Sequence, residues 1–230
     1  MQPYFFPYIG YWQLIDAADR FVILDDVNYI TRGYINRNSI LMDGKPYKFT
    51  IPIKKASQNK LILDTKLNFD MREKKRFLHT ISHAYKKAPY YVEVMNLIER
   101  VIYFPEEDLT TYISNSIKAV MSYLGINTEI YISSKLEKNL SLKAEKKIIE
   151  ICEKMNANVY INPSGGRQLY HHKHFNQAHI KLYFLDSRVE QIKYNQKNEQ
   201  FEKNLSIIDV LMFNKIETIQ KFLKEYDLNK

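Results

Sequence analysis

Four short apolar runs, Phe21-Val22-Ile23-Leu24, Glu129-Ile130-Tyr131-Ile132, Val159-Tyr160-Ile161 and Leu182-Tyr183-Phe184-Leu185, alternate with stretches of helical periodicity, and this alternation restricts the fold more than any other feature. Runs of that length, bounded by polar residues, read as buried strands. Strands alternating with helices build parallel sheets, because a parallel connection needs a crossover of a dozen or more residues. The first unit shows the logic. A turn at Tyr4 to Pro7 leads into a helix from about Tyr8 to Ala18, which feeds the strand Phe21 to Leu24. A strand ending near Pro3 is expected ahead of that helix. It is short or truncated, because a strand needs about four to six residues and few precede Pro3.

The remaining signals fit around this frame. Asp43-Gly44 separates Ser39-Ile40-Leu41-Met42 from Tyr47 to Ile53 and predicts a β-hairpin, followed by a polar loop from Lys54 to Lys60. Three amphipathic helices are expected over 72–86, 90–103 and 107–123, broken by Pro89 and Pro105 and closed by Gly125. A further helix is expected over Leu142 to Met155. Near the end, Ser206 reads as an N-cap with Asp209 in the favourable first turn. The reading is an α/β protein with a central mostly parallel sheet, a short hairpin region and a helical segment at about 71–124, all in one domain over 1–230.

Composition narrows the classes. With 45% hydrophobic residues, 6 Gly and 7 Pro in 230 residues, the chain has the makings of a sizeable core and is neither disordered nor fibrous. The formal charge of +8 suits an anionic small ligand, a membrane surface or nucleic acid without choosing among them. Dispersed lysines and the lack of a nucleic-acid motif argue against the last. A single cysteine, Cys152 in an apolar pattern, excludes an internal disulfide and reads as a core thiol. With no 18-residue apolar span and no leader pattern, a soluble cytoplasmic protein is expected.

Candidate chemistry concentrates in two segments. The first 38 residues combine Gln2, Tyr4, Tyr8, Tyr11, Asn28, Tyr29, Arg32, Asn36, Arg37 and Asn38 with the acidic pair Asp25-Asp26 at the end of a strand. Aromatic faces stack on rings, amides supply paired donors and acceptors, and arginine forks grip phosphate or carboxylate. In open parallel sheets ligands bind off the carboxyl ends of strands. The second segment, Asn162 to Tyr170, runs from a strand through Ser164-Gly165-Gly166 into a helix, so Asn162, Gly165, Gly166 and Tyr170 join the list as an anion-binding turn. No Gly-Lys-Ser/Thr follows, so it is not a P-loop. The two segments are expected to meet in one pocket. His79 and His83 have helical ligand spacing without a built-in acidic partner, and His171, His172 and His174 spread over more than one helical face. Both groups are read as surface histidines, and no metal is expected. The sequence names no cofactor and no oligomeric state.

Gln2 to Tyr11, Leu24-Asp25-Asp26-Val27-Asn28-Tyr29, Arg32 to Asn38, Asn162-Pro163 with Gly165-Gly166 and Leu169-Tyr170, and Leu205 to Asp209 together resemble the WbqC-like family of bacterial proteins, over nearly the whole chain. Members of that family usually carry a few more residues ahead of the Met-Gln-Pro segment. The resemblance implies a place in surface-polysaccharide synthesis, including O-antigen and deoxy-amino sugars, and leaves the reaction open. Pro7-Tyr8-Ile9-Gly10-Tyr11 also lies where class I nucleotidyltransferases carry a Pro-His-Ile-Gly-His type motif. Tyrosines replace both histidines here. A nucleotidyltransferase-like or Rossmann-like fold therefore stays open, while classical nucleotide activation does not fit.

Two classes of function follow as expectations. One is an enzyme acting on a nucleotide-linked amino sugar by acyl or aminoacyl transfer to its amine, with Asp25 or Asp26 as the catalytic base and amides near Gly165-Gly166 as oxyanion donors. The other is a non-catalytic nucleotide-sugar-binding or assembly protein of the same pathway.

Overall fold

The computed structural model describes residues 1–230. Its elements run α1 (Ile9–Asp16), β1 (Arg20–Ile23), β2 (Arg37–Met42), β3 (Lys45–Thr50), α2 (Met71–Tyr85), α3 (Tyr91–Ile102), α4 (Leu109–Leu124), β4 (Glu129–Ile132), α5 (Ala144–Lys154), β5 (Val159–Pro163), α6 (His172–Gln177), β6 (Lys181–Ser187), α7 (Ile207–Phe213), α8 (Ile216–Phe222) and β7 (Tyr226–Asn229). Short 3₁₀ turns occupy Ser133–Lys135 and Ser164–Leu169. No helix is long and apolar enough to cross a membrane.

Local chemistry accounts for most of these boundaries. Asp70 and Asp108 cap α2 and α4 by accepting hydrogen bonds from the Glu73 and Thr111 amides. Gly125 ends α4 at φ 72°, the left-handed conformation that a side chain resists. Asp43 and Gly44, at φ 49° and 74°, form the tight turn that pairs β2 with β3 antiparallel. The Ser206 Oγ accepts from the Ile208 amide and donates to the Phe6 carbonyl, so the α7 cap also ties the end of the chain to its beginning.

The sheets are smaller than expected. β1 pairs in parallel with β4, β5 pairs in parallel with β6, and β7 adds antiparallel to β6. These form a two-stranded and a three-stranded sheet beside the β2–β3 hairpin, so the structure contains no single central mostly parallel sheet. Residues ahead of Pro3 form no strand either. Met1 makes only a bridge, its nitrogen donating to the Val22 carbonyl and its carbonyl accepting from the Leu24 amide. The free edge of β5 and the β1 edge that Met1 partly covers border an apolar groove of about 610 Å³, lined by Leu14, Phe21, Ile148, Cys152, Met155 and Tyr160 among others. The main core of 44 buried residues lies among α1 to α4, the hairpin and α7, whereas Ile148, Cys152, Phe175, Ile180, Leu182 and Phe184 form a separate cluster under β5 and β6.

Candidate functional site

The acidic pair at the end of β1 lies where the two residues after a strand turn toward different partners. Asp25, 2% exposed, accepts hydrogen bonds from the Ser134 amide at 2.9 Å and its hydroxyl at 2.6 Å, in the 3₁₀ turn that follows β4. Asp26 meets Lys138 Nζ at 2.9 Å and Lys147 Nζ at 2.8 Å. These contacts have hydrogen-bond length but lie off the hydrogen-bond axis, so charge pairing is their main content. Burial alone would raise the Asp26 carboxyl, but Lys147, Lys138 and Ser133 together hold it below its ordinary value. Lys147 also donates to the Asp26 carbonyl and Lys138 to the Ser133 carbonyl, which fixes both ammonium groups over one spot. The Lys138 side chain is fully covered and that of Lys147 is 11% exposed. Two ammonium groups thus meet the Asp26 carboxylate, beside the second buried carboxylate Asp25, at the carboxyl ends of β1 and β4.

The first turns of α5 connect this cluster to the second segment. Lys147 reaches Asp26, while Glu145, two residues earlier, accepts from the His171 amide just after the Asn162 to Tyr170 turn. Within that turn Asn162 is buried, accepting from the Tyr160 hydroxyl at 3.1 Å and donating to the Pro163 carbonyl at 3.2 Å. A Cβ on Gly166 would fall 2.0 Å from Asn162 Nδ2, so glycine there permits the close approach, whereas Gly165 is exposed with open space around it. The segment Ser164–Leu169 is a 3₁₀ turn rather than the start of the expected helix, which forms later as α6. Tyr170 packs edge-on to Tyr160 and Phe175.

The amino-terminal constellation divides into framework and accessible groups. The Tyr29 hydroxyl donates to Asn36 Oδ1 at 2.7 Å, and the Asn36 amide donates to the Ile51 carbonyl at 2.8 Å. Asn38 donates to the Phe6 carbonyl and Tyr11 to the Gln2 carbonyl. Tyr11, Tyr29, Asn36 and Asn38 are all buried, so their polar ends hold the strandless opening of the chain against β2. Tyr4 and Tyr8 are half-buried and Tyr34 is exposed; Tyr4 lies 6.2 Å from Tyr34 between ring centroids. Burial raises the Tyr4 and Tyr8 phenols; Tyr8 and Tyr34 raise Tyr4 further, and Tyr34 raises Tyr8. The Tyr8 ring covers the first turn of α1, where a Cβ on Gly10 would meet it at 2.5 Å. Arg32 is exposed at φ 64°, a conformation that strains a non-glycine residue, and Asn28 is exposed in the same region. The Arg37 Nε is buried with no partner, a donor whose desolvation is uncompensated.

Ser133, Ser134, Lys138 and Lys147 were not singled out from the sequence. Their only signal was position, just after a strand and in the first turns of a helix. Lysines at such places are ordinary surface residues unless a carboxylate from elsewhere in the chain meets them. Cys152 behaves as expected, its thiol pushed up to about 12 by burial.

The family model of the WbqC-like proteins matches residues 2–221. The chain belongs to the WbqC-like protein family. It is also similar to the uncharacterized protein Rv1507c of Mycobacterium tuberculosis, 26% identical over 214 residues that cover 92% of this chain and 90% of that protein. No solved structure matches. The matched span contains both candidate segments together with Ser134, Lys138 and Lys147.

Proposed function

We propose that this WbqC-like protein binds a nucleotide-linked sugar at the carboxyl ends of β1 and β4 and acts in surface-polysaccharide synthesis, the context its family resemblance implies. The observation that carries the reading is the pair of covered ammonium groups, Lys138 and Lys147, gathered over Asp26 beside the Asp25–Ser134 contact. An anion such as a diphosphate can draw on those two ammonium groups, and the α5 amino terminus adds a favourable dipole beside them. Arg32 and Arg37 supply forked donors for the same anionic part, the Tyr4, Tyr8 and Tyr34 faces supply stacking, and Gln2, Asn28 and the Asn162 to Tyr170 turn supply polar contacts to the sugar.

The reaction that suits such a ligand is acyl or aminoacyl transfer to a sugar amine. The amine must lose a proton as it attacks the acyl carbon, and collapse of the tetrahedral adduct breaks the bond to the acyl donor's carrier, which leaves with the electron pair and takes up the proton. Asp26 is a poor base because its lysines favour the charged form, so the base is Asp25, reached through the exposed Ser134 hydroxyl that donates to it. The amine proton passes to Ser134 Oγ as the Ser134 proton passes to Asp25. A second element of this reading concerns the sheet. One extended segment laid in the apolar groove, parallel to β1 and β5, would join the two parallel pairs into the central sheet that the strand and helix rhythm implies.

The test is a panel of nucleotide-linked sugars, free nucleotides and coenzymes read by thermal stabilisation. A ligand at a hundredfold its dissociation constant adds about 2.7 kcal/mol to stability. Arg32→Ala, at an exposed position, should weaken the best ligand about tenfold, equivalent to about 1.4 kcal/mol, without changing the melting temperature of the free protein. Stabilisation by no nucleotide sugar, or binding indifferent to Arg32 and Lys147 substitution, defeats the proposal. Binding without turnover of any acyl donor selects the non-catalytic assembly role.

A further inference from the structure

A second group of side chains converges on the other side of the α5 amino terminus. Glu145 stands in the first turn of α5, His171 is the residue before α6 and His174 lies within it. One potential ligand atom from each falls within 4.8 Å of the others. His174 Nδ1 is 2.5 Å from Glu145 Oε2, and His171 Nδ1 is 3.4 Å from Glu145 Oε1. The carboxylate is recessed, with 14% of its side chain exposed, beneath imidazoles that are 68% and 51% exposed. The His171 amide also donates to it, so its orientation is set by backbone. Burial would raise the Glu145 carboxyl, but the His174 hydrogen bond and the His171 amide hold it below its ordinary value.

We propose that Glu145, His171 and His174 form a binding site for a divalent transition-metal ion, with zinc the best match. Two imidazoles and one carboxylate are a donor set that zinc takes in tetrahedral sites and non-haem iron(II) takes in octahedral ones, and three protein ligands leave a fourth tetrahedral position open to water or an external ligand. Tetrahedral zinc with bonds of about 2.0–2.1 Å sets donor atoms about 3.3 Å apart. The His171 and Glu145 contact already has that spacing. His174 has to withdraw from Glu145 by about 0.8 Å and exchange its shared proton for the metal, a movement open to an exposed side chain. The backbone beneath is firmly seated, because Phe175 between the two ligand elements is fully buried and stacks on Tyr160 at 5.4 Å. On one continuous helix His171, His172 and His174 would spread over more than one face. In the structure His171 precedes the helix, and its extended backbone turns the ring toward His174, with ring centroids 5.3 Å apart.

The experiment is calorimetric titration of the full chain with zinc chloride, repeated with cobalt chloride to read the visible bands of a four-coordinate ion. Wild type should bind one zinc ion and develop those bands. His171→Ala, His174→Ala and Glu145→Gln should each weaken binding by about tenfold or more while leaving the metal-free circular dichroism and melting temperature unchanged. His79→Ala/His83→Ala removes the competing histidine pair on α2 and should bind as wild type does. No zinc binding by wild type, equal affinity in the three ligand variants, or loss only in the α2 variant overturns the assignment.

Discussion

At the residue scale, Asp26 and Asp209 are buried carboxylates with opposite pH behaviour. Asp26 lies under two ammonium groups, so Asp26→Asn leaves both lysines without a counter-charge and should cost about 3–5 kcal/mol. Its folded carboxyl is held low, so its stabilisation is complete above the unfolded value near 3.9 and is lost as pH falls through the folded one. Asp209 accepts from the Tyr85 and Tyr194 hydroxyls and from Gln196, but burial outweighs these bonds and raises its carboxyl. Its contribution is complete below the unfolded value and lost as pH rises through the folded one. Asp209→Asn keeps an acceptor without the buried charge. It should stay within about 1 kcal/mol of the parent and gain on it as pH rises from about 4 to 7, whereas Asp209→Ala strands three donors and should cost about 3 kcal/mol or more. Urea unfolding of the three variants across that pH range checks both signs.

At the element scale, the turn after β5 is shaped by one glycine and not the other. Gly166→Ala drives a Cβ into the buried Asn162 amide and should cost about 1–3 kcal/mol, while Gly165→Ala, with open space around it, should melt with the parent. Paired thermal melts decide this. The same turn shows what the sequence made legible. Periodicity with Pro89, Pro105, Gly125 and Asp43-Gly44 placed α2, α3, α4, α5, the hairpin turn and strands β1, β4, β5 and β6 within a few residues, because those signals are local and act on their own neighbours. The acidic pair was visible as the end of a strand, but its partners Ser134 and Lys147 lie 109 and 121 residues away, and no local pattern announces them. The division of the opening segment also depends on distant partners. Asn38 is framework because Phe6 offers it a carbonyl, and Tyr29 because Asn36 does. α8 and β7 gave no reading, their short patterns resting on Gln13 and β6 for support.

At the scale of the whole molecule, the apolar groove lies between β1 and β5, and Cys152 lines it from the smaller of the two core clusters. Its thiol lines the groove and belongs to the smaller cluster with Ile148, Phe175 and Phe184. β1 and β5 face each other there without pairing, so no ladder of backbone hydrogen bonds crosses the gap. Separating β5 and β6 from β1 breaks no ladder there, and segments of this kind open at free energies below the global value. Only the thiolate reacts with thiol reagents, and burial keeps it protonated at neutral pH, so the closed protein should label very slowly. Labelling should then proceed through opening of the groove. The rate constant for modifying Cys152 in the presence of excess reagent should rise with urea along a slope smaller than the global unfolding m-value, because less surface is exposed. Amides of β5 and β6 should exchange through the same opening, while those of α3 and α4 exchange only on global unfolding. A labelling slope equal to the global m-value would make the two core clusters one cooperative unit and the groove a static cavity.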